Sequence, residues 1–268
     1  MAFTPSNEIR IDLSGQSAIV TGASQGLGRA IALRLGENGA HVACVARNPE
    51  KLAETVGAIT AAGGSAQAIA CDVKDRSSVE AVVDQVSDRW ERVDILVNNA
   101  GIHRRVDPLD YDPEDVEAIL AVNFRGAFQV AARVGREMTR LGGGSIVNIS
   151  ALGGGIAGLG RAGSVYCMTK GGLVSLTREL AAEWGSSGVR VNALAPGWIR
   201  TPMTEALQNN SERSARVMAR VPLGRWGEAD DVAGAVAFLA SDASAYITGH
   251  TIPVDGGVAN VISLDEPS

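Results

Sequence analysis

Residues 16–46 read QSAIVTGASQGLGRAIALRLGENGAHVACVA, and this stretch decides the fold. It opens with an apolar run at 16–22 and closes with another at 41–46, as buried strands do. Between them, residues 26–39 carry apolar side chains at helical spacing and end at Gly39, a common helix stop. A strand, a glycine-rich turn, a helix and a second strand predict the start of a parallel α/β sheet.

The alternation of strand and helix patterns continues along the whole chain. Further strands are predicted at 65–73, 93–101, 145–150, 189–197 and 249–257. Further helices are predicted at 49–64, 77–90 (capped by Ser77 or Ser78), 112–140, 165–185, 203–219 and 228–241. Right-handed crossovers then give a single-domain α/β fold of the Rossmann type, a doubly wound parallel sheet of seven strands in the order 3-2-1-4-5-6-7 with helices on both faces. The predicted domain spans 13–258, with loose tails at 1–12 and 259–268.

Composition narrows the classes of function. The 268 residues include 24 basic and 30 acidic side chains, for a formal net charge of −6, and no basic run, so we expect no nucleic-acid partner. No apolar span of about 20 residues is present, so we expect no membrane partner and a cytoplasmic location. The histidines and cysteines lack the spacing of metal ligands, so we expect no metal site.

The turn between the first strand and the first helix reads TGASQGLG (21–28). Glycines let the backbone approach a pyrophosphate, and N–H groups at the start of a helix can donate to it. Alone this could be an ordinary glycine-rich turn, but its place directly after the first strand favours a dinucleotide site. The predicted contacts are Gly22, Ser24, Gln25, Gly26, Leu27 and Gly28.

The end of the second strand selects between two dinucleotides. An acidic residue there would bind the ribose 2′-hydroxyl of NAD, whereas this chain has Ala46 and Arg47. An arginine can pair with the 2′-phosphate of NADP, so NADP(H) is favoured over NAD(H); the alternative is a surface arginine in an enzyme that accepts both. Asp72 and Val73 end the third strand, where the carboxylate would accept from the adenine amino group or cap the following turn.

Tyr166 and Lys170 lie four residues apart on a predicted helix and therefore share one face. A lone YxxxK is common, but other motifs accompany it: TGASQGLG, CDV (71–73), NNAG (98–101), VNFRG (122–126), YCMTK (166–170) and PGWIRTPM (196–203). Together and in this order they resemble the short-chain dehydrogenase/reductase family, from about residue 13 to 258. The resemblance implies hydride transfer between NADP(H) and a carbonyl or secondary alcohol, and a homotetramer.

The resemblance also implies roles for single residues. Tyr166 would be the acid/base, and Lys170 would lower the tyrosine pKa from its usual value of about 10 and bind the nicotinamide ribose. Asn123 would help to hold a water of the proton relay, and Asn98 would support the loop on the cofactor side. Further cofactor contacts would come from Asn99, Ala100, Gly101, Pro196, Gly197, Ile199 and Thr201.

The serine of the family has no plain counterpart in this chain. Its usual positions, counted from the strand and from Tyr166, are Ala151 and Gly153. We expect Ser150 to fill the catalytic role through a loop that is longer than usual. The alternatives are that the serine is absent, or that Ser164 at the start of the helix replaces it.

Basic residues around the expected cleft point to the substrate. HRR (103–105) follows NNAG, and VPLGRWGEADD (221–231) resembles a subgroup that acts on sugar acids of the gluconate and deoxygluconate types. A sugar acid or polyol is therefore expected, with candidate contacts at Arg104, Arg105, Arg161 and Trp198. A basic rim would also suit a 3-oxoacyl-carrier-protein reductase. A dinucleotide-binding sensor without catalysis is the alternative from another class.

Overall fold

The computed structural model describes residues 11–160 and 163–261. The predicted tails are therefore described only at 11–12 and 259–261, and the candidate substrate residue Arg161 lies outside the described residues.

One parallel sheet forms the centre of the molecule. Its strands are β1 (Ser17–Thr21), β2 (His41–Ala46), β3 (Ser65–Ala70), β4 (Ile95–Asn98), β5 (Gly144–Ile149), β6 (Val189–Pro196) and β7 (Thr251–Val254). They are arranged in the order β3-β2-β1-β4-β5-β6-β7, and all neighbours pair in parallel. The predicted seven-stranded, doubly wound Rossmann-type sheet is confirmed, and the carboxyl ends of its strands lie along one edge.

Helices cover both faces of this sheet, as predicted. They are α1 (Gly26–Glu37), α2 (Pro49–Ala61), α3 (Arg76–Trp90), α4 (Pro113–Leu120), α5 (Ala127–Leu141), α6 (Leu152–Gly155), α7 (Ser164–Trp184), α8 (Glu205–Gln208), α9 (Ser211–Met218) and α10 (Ala229–Ala240). Apolar side chains of α1, α2 and α10 form one core, and those of α3, α5 and α7 form the other. Because both faces are covered, every residue of β1 is buried.

The cap of α3 differs from the prediction. The Asp75 carboxylate accepts from the Ser77 backbone N–H at 3.0 Å and from the hydroxyl groups of Ser77 and Ser78 at 2.9 Å each. The prediction of a serine cap was wrong, because a carboxylate at the positive end of the helix takes the N–H group and both hydroxyl protons.

The predicted helix at 112–140 is interrupted by a π-helical turn, Ala121–Gly126, between α4 and α5. Such turns contain one extra residue and are frequent at functional sites. Asn123 lies within this turn, so the irregularity falls on a residue that was predicted to belong to the site.

Candidate active site

A cavity of about 1260 Å³ opens at the carboxyl ends of the strands. Ligands of doubly wound sheets bind at this edge. All the residues predicted to contact the cofactor, from Gly22 to Thr201, line the cavity. Ser150, Arg105 and Trp198 line it as well.

The N-terminus of α1 is open to an anion. The first turn of α2 is capped by Asn48, whereas α1 has no side-chain cap at Gln25 and no acidic residue in its first turn. Its unpaired N–H groups and the positive end of the helix dipole are therefore available at the cavity wall. A Cβ atom at Gly28 would lie 2.2 Å from the carbonyl oxygen of Gly22, so this turn requires glycine. The loop fits the phosphates of a dinucleotide.

The segment after β4 is fastened to this phosphate loop. Thr21 Oγ1 accepts from the backbone N–H groups of Asn99 and Ala100 at 3.0 Å each, and Asn99 Nδ2 donates to the Thr21 carbonyl oxygen at 2.9 Å. The Asn98 side chain is buried and donates to Asn148 Oδ1 at 3.0 Å. Asn99 thus ties this segment to the phosphate loop, whereas Asn98 contacts the neighbouring strand β5. The support of the loop on the cofactor side by Asn98 stays a prediction.

Two cations lie just after β2. Arg47 is exposed and lines the cavity, and so does Lys51 of α2. Lys51 Nζ also donates to Gln25 Oε1 at 2.9 Å, which ties α2 to the phosphate loop. Lys51 was not among the predicted cofactor residues, although its position four residues after Arg47 was a usable signal.

Asp72 lines the cavity and also stabilises the turn after β3. Its carboxylate accepts from the Lys74 backbone N–H at 3.1 Å and lies 3.4 Å from Lys74 Nζ. Of the two predicted roles, the capping of the turn is observed, and contact with adenine stays a prediction.

Tyr166 and Lys170 lie one turn apart on α7, and both line the cavity. Lys170 is buried, and its Nζ donates to the Ile149 carbonyl oxygen at 2.6 Å. The distance from Nζ to the centre of the Tyr166 ring is 5.7 Å. Burial lowers the pKa of Lys170 to about 8. Burial, with a smaller contribution from Cys167, raises the pKa of Tyr166 to about 12.

The direction of the Tyr166 shift is the opposite of the one predicted. We expected the Lys170 ammonium to lower the tyrosine pKa. In the structure Lys170 is buried and Tyr166 is partly buried in the cavity wall, and for Tyr166 the cost of burying the charged phenolate sets the direction of the pKa shift, with Lys170 Nζ 5.7 Å from the centre of its ring. Tyr166 is therefore protonated at neutral pH, which is the form that can give a proton to a substrate oxygen.

Both polar atoms of the Asn123 side chain are used within the protein. Oδ1 accepts from the Ile102 N–H at 2.8 Å, and Nδ2 donates to the Ile102 carbonyl oxygen at 2.9 Å. The side chain is fully buried behind the cavity wall. It joins the π-helical turn to the segment after β4. The role of Asn123 in a water relay stays a prediction.

Ser150 is buried, and its hydroxyl group donates to the Lys170 carbonyl oxygen at 2.9 Å. The loop that follows packs on α7. A Cβ atom at Gly154 would lie 1.9 Å from the Cys167 carbonyl oxygen. Ser164 is exposed at the first position of α7, where it lines the cavity, and Gly163 occupies the N-cap position of this helix.

Some of the candidate substrate residues line the cavity and others do not. Arg105 and Trp198 line the cavity, but Arg104 is absent from its wall and forms an ion pair with Asp115 of α4. This ion pair accounts for the direction of Arg104, and we no longer place it at the substrate. Arg213 of α9 lines the cavity and had no signal in the sequence.

His103 had been expected only at the rim of the cleft. It lines the cavity, and its ring meets the Tyr166 ring edge-on, with the centroids 4.9 Å apart and the planes at 74°. Partial burial and the charge of Arg105 hold the pKa of His103 below its usual value.

The part of the chain that the structure describes contains neither a metal site nor a membrane-spanning helix. In residues 11–160 and 163–261, no group of three or more His, Cys, Asp or Glu side chains is placed to hold a metal ion. Among the same residues, no helix is both long enough and apolar enough to cross a membrane.

Known proteins resemble the chain over most of its length. A family model described as enoyl-(acyl carrier protein) reductase matches residues 22–259. A 3-oxoacyl-(acyl-carrier-protein) reductase from Staphylococcus aureus is 40% identical, over 91% of this chain and 98% of that protein. The chain belongs to the short-chain dehydrogenase/reductase family.

Relatives of this short-chain dehydrogenase/reductase differ in their substrates. The 2-dehydro-3-deoxy-D-gluconate 5-dehydrogenase of Escherichia coli is 36% identical, over 91% of this chain and 96% of that protein. A gluconate 5-dehydrogenase from Burkholderia cenocepacia, solved in complex with NADP and tartrate, is 37% identical with a TM-score of 0.89 and covers 94% of this chain and 98% of its own. The protein is accordingly an oxidoreductase that acts on alcohol or ketone groups, as its motifs predict.

Proposed function

We propose that this short-chain dehydrogenase/reductase transfers a hydride between NADP(H) and a carbonyl or secondary alcohol, with Tyr166 as the acid/base. One observation carries the proposal. Tyr166 lines the same cavity as the uncapped N-terminus of α1, so a dinucleotide phosphate and a reacting oxygen can be bound in one space.

Each part of the cavity has a role in this proposal. The N–H groups at the start of α1 would hold the pyrophosphate, Lys170 would bind the nicotinamide ribose, and bound NADPH supplies the hydride. In the reduction, Tyr166 gives its hydroxyl proton to the carbonyl oxygen as that oxygen gains charge; in the oxidation it takes the proton back. With a pKa of about 8, Lys170 is mostly charged at neutral pH and stabilises the phenolate that remains.

Arg47 and Lys51 support a preference for NADP(H) over NAD(H). Both line the cavity, and β2 ends in Val45 and Ala46 without an acidic residue for a ribose 2′-hydroxyl. A guanidinium and an ammonium can pair with a 2′-phosphate, which NAD lacks. The NADP complex of the related Burkholderia cenocepacia enzyme agrees with this choice.

We further propose that the substrate is a sugar acid or a related polyol. Arg105 and Arg213 line the cavity, and neither forms an ion pair with another of the described residues, so either can pair with a carboxylate. The relatives that act on gluconate-type acids support this proposal. The second candidate is a 3-oxoacyl-carrier-protein reductase, which the Staphylococcus aureus relative favours.

A cytoplasmic homotetramer is part of the same proposal. Phe124 and Phe128, on the π-helical turn and α5, are 43% and 50% exposed, and Met168 on α7 is 56% exposed. In the proposed homotetramer, contacts between copies of the chain would cover these apolar side chains. The free cysteines Cys44, Cys71 and Cys167 suit a reducing compartment. Light scattering tests the assembly, and a monomer would contradict it.

An assay of NADPH oxidation with three classes of carbonyl tests the function. The probes are 5-keto-gluconate, 2-keto-gluconate and an acetoacetyl thioester. Faster turnover of the keto acids supports the sugar-acid proposal, and faster turnover of the thioester supports the reductase of acyl carriers. NADPH binding without turnover of any carbonyl would instead favour a dinucleotide-binding sensor.

A further inference from the structure

The developing charge on a reacting carbonyl oxygen is best stabilised by more than one hydrogen-bond donor. Tyr166 supplies one. Ser150 does not supply the other, because a hydroxyl group has a single hydrogen and the Lys170 carbonyl oxygen accepts it at 2.9 Å. The next residue, Ala151, has no side-chain donor.

Ser164 is poorly placed for the same task. It precedes Tyr166 by two residues on α7, and positions two apart point to different sides of a helix. Its side chain is exposed at the first position of α7. A donor beside Tyr166 must therefore be sought on another segment of the cavity wall.

His103 meets the requirements from the segment after β4. Its ring is in edge-on contact with the Tyr166 ring, at 4.9 Å between centroids, and it lines the same cavity. Neither ring nitrogen is hydrogen-bonded to another of the described residues, so both remain available. Its pKa, held below the usual value, keeps the ring neutral near pH 7, with one N–H donor.

We infer that His103 donates a hydrogen bond to the reacting oxygen of the substrate, in the place that a serine would otherwise occupy. No bond to His103 forms or breaks. The hydride goes to the carbonyl carbon, the Tyr166 proton goes to the oxygen, and the imidazole keeps its own proton throughout. The inference rests on the proposed role of Tyr166 in hydride transfer.

Two substitutions separate a donor from a packing partner. His103→Gln keeps an N–H donor but loses the ring, whereas His103→Phe keeps a ring that can pack on Tyr166 but has no donor. The assay uses whichever of 5-keto-gluconate, 2-keto-gluconate and acetoacetyl thioester the wild type reduces fastest. We expect kcat to fall about 10²-fold in His103→Phe and less than about 10-fold in His103→Gln.

A matched control is His250→Phe, because His250 is exposed and lies outside the cavity. Its kcat should stay within about twofold of the wild type. The dissociation constant for NADPH, read from fluorescence without any turnover, should also stay within about twofold in all three variants. A His103→Phe protein that binds NADPH about tenfold more weakly would overturn the inference, because His103 would then act on cofactor binding.

The kinetic outcomes distinguish this inference from the function on which it rests. If His103→Phe is as fast as the wild type, or faster than His103→Gln, while Tyr166→Phe is inactive, the inference fails and the function stands. If Tyr166→Phe also keeps the wild-type rate, both the inference about His103 and the proposed role of Tyr166 fail. A wild type that reduces none of the three probes overturns both. If kcat falls in Ser164→Ala and not in the His103 variants, Ser164 is the donor to the reacting oxygen and the inference about His103 fails.

Discussion

The hydroxyl oxygen of Ser150 lies 2.9 Å from the carbonyl oxygen of Lys170, and this hydrogen bond ties the end of β5 to the helix that carries Tyr166. Lys170 Nζ makes the reciprocal contact with the Ile149 carbonyl oxygen at 2.6 Å. The strand end and the helix are thus joined twice beside the proposed acid/base. The first of these bonds fixes the position of Lys170 but uses the only hydroxyl proton of Ser150.

Removal of the Ser150 hydroxyl group should affect stability more than chemistry. We expect Ser150→Ala to lower the free energy of unfolding by about 1 kcal/mol, because the Lys170 carbonyl, which lies within α7, loses the buried hydrogen bond from the Ser150 hydroxyl group. We expect kcat to fall less than about 10-fold. Denaturant titration and steady-state kinetics measure both. A loss of about 10²–10³ in kcat at unchanged stability would return Ser150 to the role of donor that the sequence favours.

Gly154 allows the loop after β5 to lie against α7. An alanine there would place Cβ 1.9 Å from the Cys167 carbonyl oxygen, at a backbone φ of +84°. We expect Gly154→Ala to lower the free energy of unfolding by about 2 kcal/mol or more. Gly158→Ala is the matched control, since no atom of the other described residues, its two chain neighbours aside, lies within 4 Å of its Cβ position. Equal melting temperatures for the two variants would contradict the packing of this loop.

Lys170 is buried, and the role proposed for its charge is in hydride transfer rather than in stability. Its ammonium has three donors, and Ile149 accepts from one of them. We expect Lys170→Met to raise the free energy of unfolding at pH 7 by on the order of 1 kcal/mol, and turnover to fall about 10²-fold or more. Thermal melts and steady-state kinetics on the same preparations measure the expected gain in stability and the expected loss of turnover.

The gain in stability should depend on pH. The pKa of Lys170 is about 8 in the folded protein against an ordinary value of 10.5, so the unfolded chain binds the proton more readily. The wild type therefore carries the full penalty below pH 8, and the penalty disappears as the pH rises from 8 to 10.5. The advantage of Lys170→Met should shrink over this interval. An advantage that is constant from pH 7 to 10.5 would contradict the burial of a charged lysine.

The choice of dinucleotide should depend on Arg47. We expect Arg47→Asp to raise the dissociation constant for NADPH about 10- to 100-fold, because the ion pair with the 2′-phosphate is lost and the new carboxylate repels that phosphate. The dissociation constant for NADH, which has no 2′-phosphate, should not rise. Fluorescence titration measures both constants. Arg136→Asp is a control on the exposed side of α5, outside the cavity. If Arg47→Asp weakens the binding of NADH and of NADPH equally, Arg47 does not bind the 2′-phosphate.

The sheet and the cofactor wall could be predicted because they follow from pattern alone. Apolar runs separated by helices allow few topologies, and the carboxyl ends of parallel strands must meet, so Gly22, Asn99 and Thr201 fall together. The π-helical turn at Asn123 could not be predicted, because one extra residue hardly disturbs the apolar spacing of a helix.

The directions of side chains and the extent of their burial could not be predicted from the sequence. Arg104 and Arg105 are neighbours, yet one pairs with Asp115 and the other lines the cavity. The sequence suggested that a cation would lower the pKa of Tyr166, but the sign of the shift depends on how much water both groups lose. His103 and Tyr166 are far apart in the chain, so the contact between their rings could not be predicted from residue spacing.

The proposed role of Tyr166 is tested most directly by the rate of NADPH oxidation in Tyr166→Phe, at saturating NADPH and with the best carbonyl probe of the wild type. We expect this rate to fall about 10³-fold or more, because the group proposed to give the proton is removed. The dissociation constant for NADPH should stay within about twofold, which separates chemistry from binding. Turnover of Tyr166→Phe at the wild-type rate would show that Tyr166 is not the acid/base.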